Sequence, residues 1–97
     1  MSHQKGIDLA DTDKVYIFNA EYKISAQLGQ GRTSKVYLGE KLDESGDRVA
    51  IKIFTVDYMK RNDHSERSVA KEAALIYMLR EHKSIPRFID IGINGVI

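Results

Sequence analysis

The period of the hydrophobic pattern changes once along this chain, and that change limits the folds it can adopt. Apolar and polar residues alternate through residues 22–28, 36–42 and 48–55, with glycine and charge clusters between them, which predicts three consecutive antiparallel strands. Beyond Asp57 the apolar residues recur at every third or fourth position, which predicts a helix. We therefore expect an α+β fold in which an antiparallel sheet of about five strands carries one packed helix.

The helix is expected to span residues 64 to about 81. Asp63 supplies an N-cap, and Glu66, three residues later, completes a capping box. An apolar stripe is expected to pack on the sheet, and it contains Val69, Ala73, Ile76 and Leu79. Glu72 lies inside that stripe, where a charged side chain is unfavourable unless a cation meets it.

The two ends of the chain carry weaker patterns. Residues 85–92 predict a fourth strand, and Asn94-Gly95 predicts a tight turn into a return strand, so the sequence is expected to stop inside its fifth strand. Residues 1–20 are expected to form a flexible lead that docks against the domain formed by residues 21–97. A short extra strand near residues 15–18 is the less favoured alternative.

Composition indicates one small globular domain, since 42% of the 97 residues are hydrophobic and 30% are charged. With 15 basic and 14 acidic residues, the chain offers no general attraction to nucleic acid or to an anionic membrane, and neither partner is expected. The absence of cysteine excludes disulfides, thiolate zinc sites and cysteine nucleophiles, and the three histidines are too far apart for a metal motif. The longest apolar run, residues 73–79, cannot cross a bilayer, and no apolar leader opens the chain, so an intracellular, cytoplasmic protein is expected.

The residues that suggest chemistry lie on the three strands and the helix. The loop Gly29-Gln30-Gly31-Arg32-Thr33-Ser34 joins the first two strands, and its glycines would adopt conformations closed to other residues, so that backbone N–H groups approach a phosphate. Lys52 shares one face of the third strand with Ala50 and Phe54, from which it would bring a positive charge to the same phosphates. Glu72 is the expected partner of that charge. This order of elements predicts a phosphate-handling site.

In these motifs, residues 22–97 resemble the amino-terminal lobe of a eukaryotic protein kinase. The segment Leu28-Gly29-Gln30-Gly31-Arg32-Thr33-Ser34-Lys35-Val36 is similar to the Gly-rich loop of that family. Val49-Ala50-Ile51-Lys52 is similar to its Val-Ala-Ile-Lys signature. Lys71-Glu72-Ala73-Ala74-Leu75 resembles the segment around the characteristic acid of its C-helix.

The resemblance implies an ATP site. Leu28, Val36 and Ala50 would line the adenine pocket. Lys52 would contact the α- and β-phosphates, and Glu72 would form the ion pair that positions it. The residues expected to bind the nucleotide are Leu28, Gly29, Gln30, Gly31, Arg32, Thr33, Ser34, Val36, Ala50 and Lys52. Two of them depart from the family pattern, because Ser34 replaces the third glycine of the loop and Thr33 stands where many members carry an aromatic residue.

By the same resemblance, the full-length parent would be a serine/threonine protein kinase that transfers the ATP γ-phosphate to a protein substrate and uses ATP with Mg²⁺. No His-Arg-Asp catalytic loop and no Asp-Phe-Gly metal motif occur in the sequence, and Asp90-Ile91-Gly92 falls in a predicted strand. The catalytic base and the Mg²⁺ ligands would therefore belong to a missing carboxy-terminal lobe, which is the expected partner of this one. The chain alone is not expected to catalyse the reaction.

Two other interpretations stay open. The chain would also suit a non-catalytic, kinase-like module that docks a partner through its exposed sheet and helix. A dinucleotide-binding unit is least favoured, because that fold needs a helix directly after the glycines, whereas residues 36–42 alternate like a strand.

Overall fold

Five strands form one sheet, in the order in which they follow along the chain. The computed structural model describes residues 9–10, 12–31, 34–56 and 67–94. The elements are β1 (Lys14–Ile17), β2 (Ala20–Gln30), β3 (Ser34–Lys41), β4 (Arg48–Val56), α1 (Arg67–Glu81) and β5 (Arg87–Asn94), and the sheet order is β1-β2-β3-β4-β5. The predicted capping box at residues 63–66 and the return strand at residues 96–97 lie outside the described residues.

The sheet is mixed, not antiparallel throughout. The first four strands pair with antiparallel neighbours, which confirms the prediction for the three central strands. β5 instead pairs in parallel with β4, and Val49 lies opposite Arg87. The segment between these strands, which includes α1, returns the chain to the same end of the sheet, so that β4 and β5 run in one direction. The α+β class with five strands and a helix is confirmed for the described residues, whereas the prediction of a wholly antiparallel sheet is wrong.

A β-bulge in β2 sends its side chains to both faces of the sheet. Ile24 lies opposite Gly39 and Ala26 lies opposite Leu38, so that Ser25 is an extra residue in the ladder. An extra residue reverses the alternation of the side chains that follow it. The prediction that the apolar residues of positions 22–28 share a single face is therefore wrong.

The two faces of the sheet carry separate cores. One core contains Ile17, Tyr22, Ile24, Tyr37, Val49, Ile51, Ile53 and Ile89. The other lies between the sheet and α1 and contains Val36, Leu38, Ala50, Ala70, Ala73, Ala74 and Ile85. Because β3 and β4 contribute to both cores, they are buried on both faces and connect the two halves of the domain.

The sheet curls around the first core. Ile17 of β1 and Ile89 of β5 belong to the same buried cluster, although three strands lie between them in the sheet. Arg87 of β5 also donates a hydrogen bond to the hydroxyl of Tyr22 on β2 at 3.1 Å. Strongly twisted and bulged strands produce such curvature.

The amino-terminal segment is part of the sheet. β1 pairs with β2 from Lys14 onward, which is the alternative that the sequence favoured less. The Thr12 N–H donates to the Ile24 carbonyl at 2.7 Å, and the Ile24 N–H donates to the Asp13 carbonyl at 2.7 Å. The Leu9 N–H donates to the Tyr37 hydroxyl at 3.0 Å. The described part of residues 1–20 is thus held by hydrogen bonds of the backbone.

The helix ends at Glu81, as the sequence predicts. His82 takes a left-handed backbone conformation with φ of 55°, and its N–H donates to the Met78 carbonyl at 2.8 Å. This is a common way for a helix to satisfy its last carbonyl groups. Across the described ranges, no helix combines the length and the hydrophobicity that crossing a bilayer requires.

The turn between β1 and β2 predicts a stabilising substitution. Phe18 and Asn19 form a two-residue turn with positive φ of 50° and 64°, a conformation that suits asparagine or glycine and strains phenylalanine. The Phe18 side chain is 78% exposed, so replacing it loses little burial. We expect Phe18→Asn to raise the free energy of unfolding by about 1 kcal/mol in denaturant titration. Tyr16→Asn, which removes an exposed aromatic ring from strand backbone, is the control and should bring no gain.

The turn between β3 and β4 predicts a pH dependence. The Ser45 hydroxyl donates to Asp43 Oδ1 at 2.5 Å and, with the Ser45 N–H and Lys41, lowers the pKa of Asp43 from 3.8 to about 2. Because the pKa is lowered in the folded state, the ionised carboxylate stabilises the turn fully above about pH 4, and this is lost as the pH falls through about 2. Titration followed by NMR should place the Asp43 midpoint near 2, and Ser45→Ala should raise it toward 3.8. An unchanged midpoint in that variant would contradict the assigned cause.

Candidate functional site

The glycine-rich segment is the tip of the β2–β3 hairpin. The Gly31 N–H donates to the Ser34 carbonyl at 2.8 Å, and Gln30 lies opposite Lys35. Ser34 is buried at the first position of β3. Strand therefore follows the glycines directly, and the interpretation as a dinucleotide-binding unit, which needs a helix there, is wrong. Arg32 and Thr33, between Gly31 and Ser34 in the sequence, lie outside the described residues.

Gly29 is required for a different reason from the one predicted. Among the described glycines, only Gly46 has a positive φ, so neither Gly29 nor Gly31 uses a conformation that is closed to other residues. A Cβ atom on Gly29 would instead lie 3.1 Å from the Cβ of Ala73 on α1. Gly29 therefore lets the helix approach the hairpin closely.

The structure brings the predicted adenine and phosphate residues to one face of the sheet. Val36 lies opposite Lys52, and Leu38 lies opposite Ala50. Val36 and Ala50 are fully buried in the core beneath α1, and Leu28 packs against the same core. Val49, Ile51 and Ile53 alternate with these residues along β4, and all three belong to the other core.

Lys52 is buried, with 4% of its surface exposed. Lys52 is therefore not a solvated lysine of a surface strand. Its Nζ lies 5.6 Å from the centre of the Phe54 ring, within the range of a cation–π interaction. Phe54 is a site residue to which the sequence assigned no role, although the two-residue period placed it on the same face as Lys52. A buried ammonium beside a glycine hairpin can attract an anionic ligand.

Glu72 is exposed on α1, whereas Lys52 is buried. The helix packs on the sheet through Ala70, Ala73 and Ala74. Two members of the predicted stripe face solvent instead, with Ile76 49% exposed and Leu79 76% exposed. The predicted stripe is therefore right for Val69 and Ala73, which pack on the core beneath α1, and wrong for Ile76 and Leu79. The Lys52–Glu72 ion pair stays a prediction.

A small cavity lies along the line of contact between β2 and α1. Its volume is about 240 Å³, and its wall includes Ala26, Leu28, Ala73, Ile76, Tyr77 and Arg80. Sites for small molecules usually measure about 300–1,000 Å³. The cavity is therefore too small to hold a nucleotide while α1 stays in place.

The described residues contain no cluster of metal-ligating side chains. Within those residues, no three histidine, aspartate or glutamate side chains converge on one point. Asp90 of the Asp90-Ile91-Gly92 segment lies within β5, as the sequence predicts, and is exposed.

Comparison with known proteins identifies no relative of this chain. No family model matches this chain, and no curated protein or solved structure is significantly similar to it. The resemblance to a protein kinase consequently depends on the motifs of the sequence and stays a prediction.

The contact between Gly29 and Ala73 predicts an energetic coupling. Gly29→Ala should lower the free energy of unfolding by about 1–2 kcal/mol, because its new methyl group crowds Ala73. Ala73→Gly should lower it by about 1 kcal/mol through loss of helix propensity. In the double variant the crowding is absent, so the combined loss should be smaller than the sum by about 1 kcal/mol. Strictly additive losses in urea titration would contradict the packing of α1 on β2.

Proposed function

We propose that this chain is the ATP-binding lobe of a protein kinase. The full-length parent would transfer the γ-phosphate of ATP to serine or threonine hydroxyls of a protein substrate. A carboxy-terminal lobe would supply the catalytic base and the Mg²⁺ ligands, and the protein would act in the cytoplasm. This chain contributes the nucleotide-binding surface and does not catalyse the transfer by itself.

The observation that carries the proposal is a buried lysine next to a glycine hairpin, on a face of the sheet that is largely apolar. Lys52 lies opposite Val36, one strand away from the hairpin that begins at Gly29. A buried ammonium keeps its charge where hydrogen bonds or an opposite charge compensate for the loss of water. The neighbouring apolar residues Leu28, Val36 and Ala50 offer a surface for a planar base, and the lysine offers a cation for phosphates.

Lys52 provides the direct test. We expect Lys52→Met to weaken binding of a fluorescent ATP analogue by about tenfold or more, since it removes a charge-assisted contact to phosphate. Lys71→Met makes the same change at an exposed position of α1 and is the control. Circular dichroism checks that both variants fold. Equal affinity of the two variants, or no binding by the unmodified chain, would contradict the proposal.

Substitution of Glu72 tests whether this residue affects the activity of the parent or only the stability of the chain. Because Glu72 is exposed, Glu72→Gln should change the free energy of unfolding by less than about 0.5 kcal/mol. In the full-length parent, the same substitution should lower the phosphorylation rate by about 10²-fold, because it removes the residue that positions Lys52. Glu81→Gln, near the end of the same helix, is the control. A normal rate with Glu72→Gln would remove Glu72 from the proposed site.

One observation supports the alternative of a non-catalytic module that docks a partner. Leu75, Ile76 and Leu79 are large apolar side chains exposed on α1. Such groups on a surface often mark a protein contact. A chain that binds no ATP analogue would leave this alternative as the better account.

A further inference from the structure

We propose that the exposed side of α1 is a contact surface for a second copy of this chain, and that the two helices pair antiparallel about a two-fold axis at Ile76. This inference goes beyond the proposed function, because it concerns how copies of the chain associate and does not depend on ATP. It follows from an apolar stripe on the helix, a cavity beside that stripe and the positions of two opposite charges.

The apolar stripe consists of Leu75, Ile76 and Leu79, which are 57%, 49% and 76% exposed. At 3.6 residues per turn, these three side chains lie within about 100° of arc around the helix. The residues of α1 that pack on the core beneath it are Val69, Ala70, Ala73, Ala74, Tyr77 and Met78. The sheet therefore uses the other side of the helix, and the stripe is available to a partner. Adjacent large apolar side chains in contact with water favour a protein contact at that surface.

The cavity between β2 and α1 lies beside the stripe. Its volume is about 240 Å³, and its wall includes Leu28, Ala73, Ile76 and Arg80. Ile76 thus belongs both to the stripe and to the wall of the cavity. Residues 73 and 79 are each three positions from Ile76, so in an antiparallel pair centred there Leu79 of the second copy lies beside Ala73 and meets the cavity. The two-fold symmetry makes the same contact a second time, in the cavity of the other copy.

Two opposite charges are placed symmetrically about the same residue. Glu72 lies about one turn before Ile76 and Arg80 lies about one turn after it, and both side chains are exposed. In the antiparallel pair, Glu72 of each copy therefore lies beside Arg80 of the other, which gives an ion pair at each end of the apolar contact. A parallel pair in register would instead bring like charges together. Charge complementarity thus favours a second copy as the occupant, in the antiparallel orientation.

The expected dimer is weak. The helices meet over only about two to three turns, which is a smaller contact than the roughly 1,600 Å² of a standard protein interface. We therefore expect a dissociation constant in the micromolar range or above. Glu72 is also the residue proposed to position Lys52 in the full-length parent, so the two contacts would compete for one carboxylate.

Sedimentation velocity over a range of chain concentrations, without nucleotide, tests the dimer directly. We expect the unmodified chain to shift from monomer to dimer as its concentration rises. Leu79→Asp should weaken association by about tenfold or more, because it places a charge in the apolar contact. Leu42→Asp makes the same change at an exposed leucine outside α1 and is the matched control. Equal weakening by the two substitutions would overturn the inference, and so would a chain that stays monomeric, which would leave the stripe to a different protein.

A charge exchange tests the antiparallel orientation. Glu72→Arg and Arg80→Glu should each weaken association by about fivefold or more, because each places like charges side by side. The double variant Glu72→Arg/Arg80→Glu exchanges the signs of both ion pairs and should regain most of the lost affinity. Circular dichroism checks that all three variants fold. A folded double variant that associates no better than the single ones would contradict the proposed pairing.

A single introduced thiol tests the position of the two-fold axis, because the chain has no cysteine of its own. Helix axes about 8–10 Å apart bring facing Cα atoms into the range of about 4.4–6.8 Å that a disulfide requires. Ile76→Cys should therefore form a disulfide between two copies about tenfold or more faster than Phe18→Cys, the control for random collision. Phe18 is 78% exposed in the turn between β1 and β2. Equal rates of cross-linking would rule out an axis at residue 76.

Discussion

The arrangement of this domain depends on how closely α1 approaches β2. At the contact, Ala73 meets a glycine, Gly29, and a Cβ atom added at Gly29 would lie 3.1 Å from the Cβ of Ala73. Dispersion attraction falls steeply with distance, so close packing of small residues can compensate for their limited apolar area. That contact fixes which side of α1 faces the sheet and where its remaining side chains point. As a result, Val36 and Ala50 of the proposed nucleotide site are buried in the core beneath α1, whereas Glu72 is exposed.

The bulge at Ser25 explains how one thin sheet supports two cores. Before the bulge, Tyr22 and Ile24 point into the curl of the sheet, and after it Ala26 and Leu28 point toward α1. β2 therefore contributes to both cores along its length. A chain of 97 residues has little apolar surface to bury, and using both faces of a curled sheet is an efficient solution.

The sequence correctly predicts which side chains share a face where the two-residue alternation of a strand continues without a bulge. On β4, the alternation separates Ile51 from Lys52 correctly, because that strand runs without a bulge in its pairing with β3. On β2, apolar residues occur on both sides of the bulge, so hydrophobicity alone does not reveal the change of face. The parallel pairing of β5 also escapes prediction, because the local pattern of a strand does not encode the direction of its neighbour.

The sequence predicts only in part which side of α1 packs on the sheet and how the candidate site is covered. The hydrophobic pattern is again an incomplete guide. Leu75, Ile76 and Leu79 dominate any hydrophobic average over the helix, whereas alanine contributes little to it. The buried residues of the helix are nevertheless Ala70, Ala73 and Ala74, with Val69, Tyr77 and Met78 packed against the same core, and Ala73 fits closely against Gly29. The shared face of Val36, Ala50 and Lys52 followed from strand periodicity, but its covering by α1 depends on a contact between distant segments.

The parallel pair of β4 and β5 has a consequence for the order of folding. Strands β1 to β4 are joined by short reversals, so each pairing closes a small loop at modest entropic cost. The pairing of Val49 with Arg87 instead encloses the whole of α1. Such distant pairings form slowly, because the intervening chain must first become ordered. We therefore expect the four-stranded meander to form first during folding and β5 to pair with it afterwards.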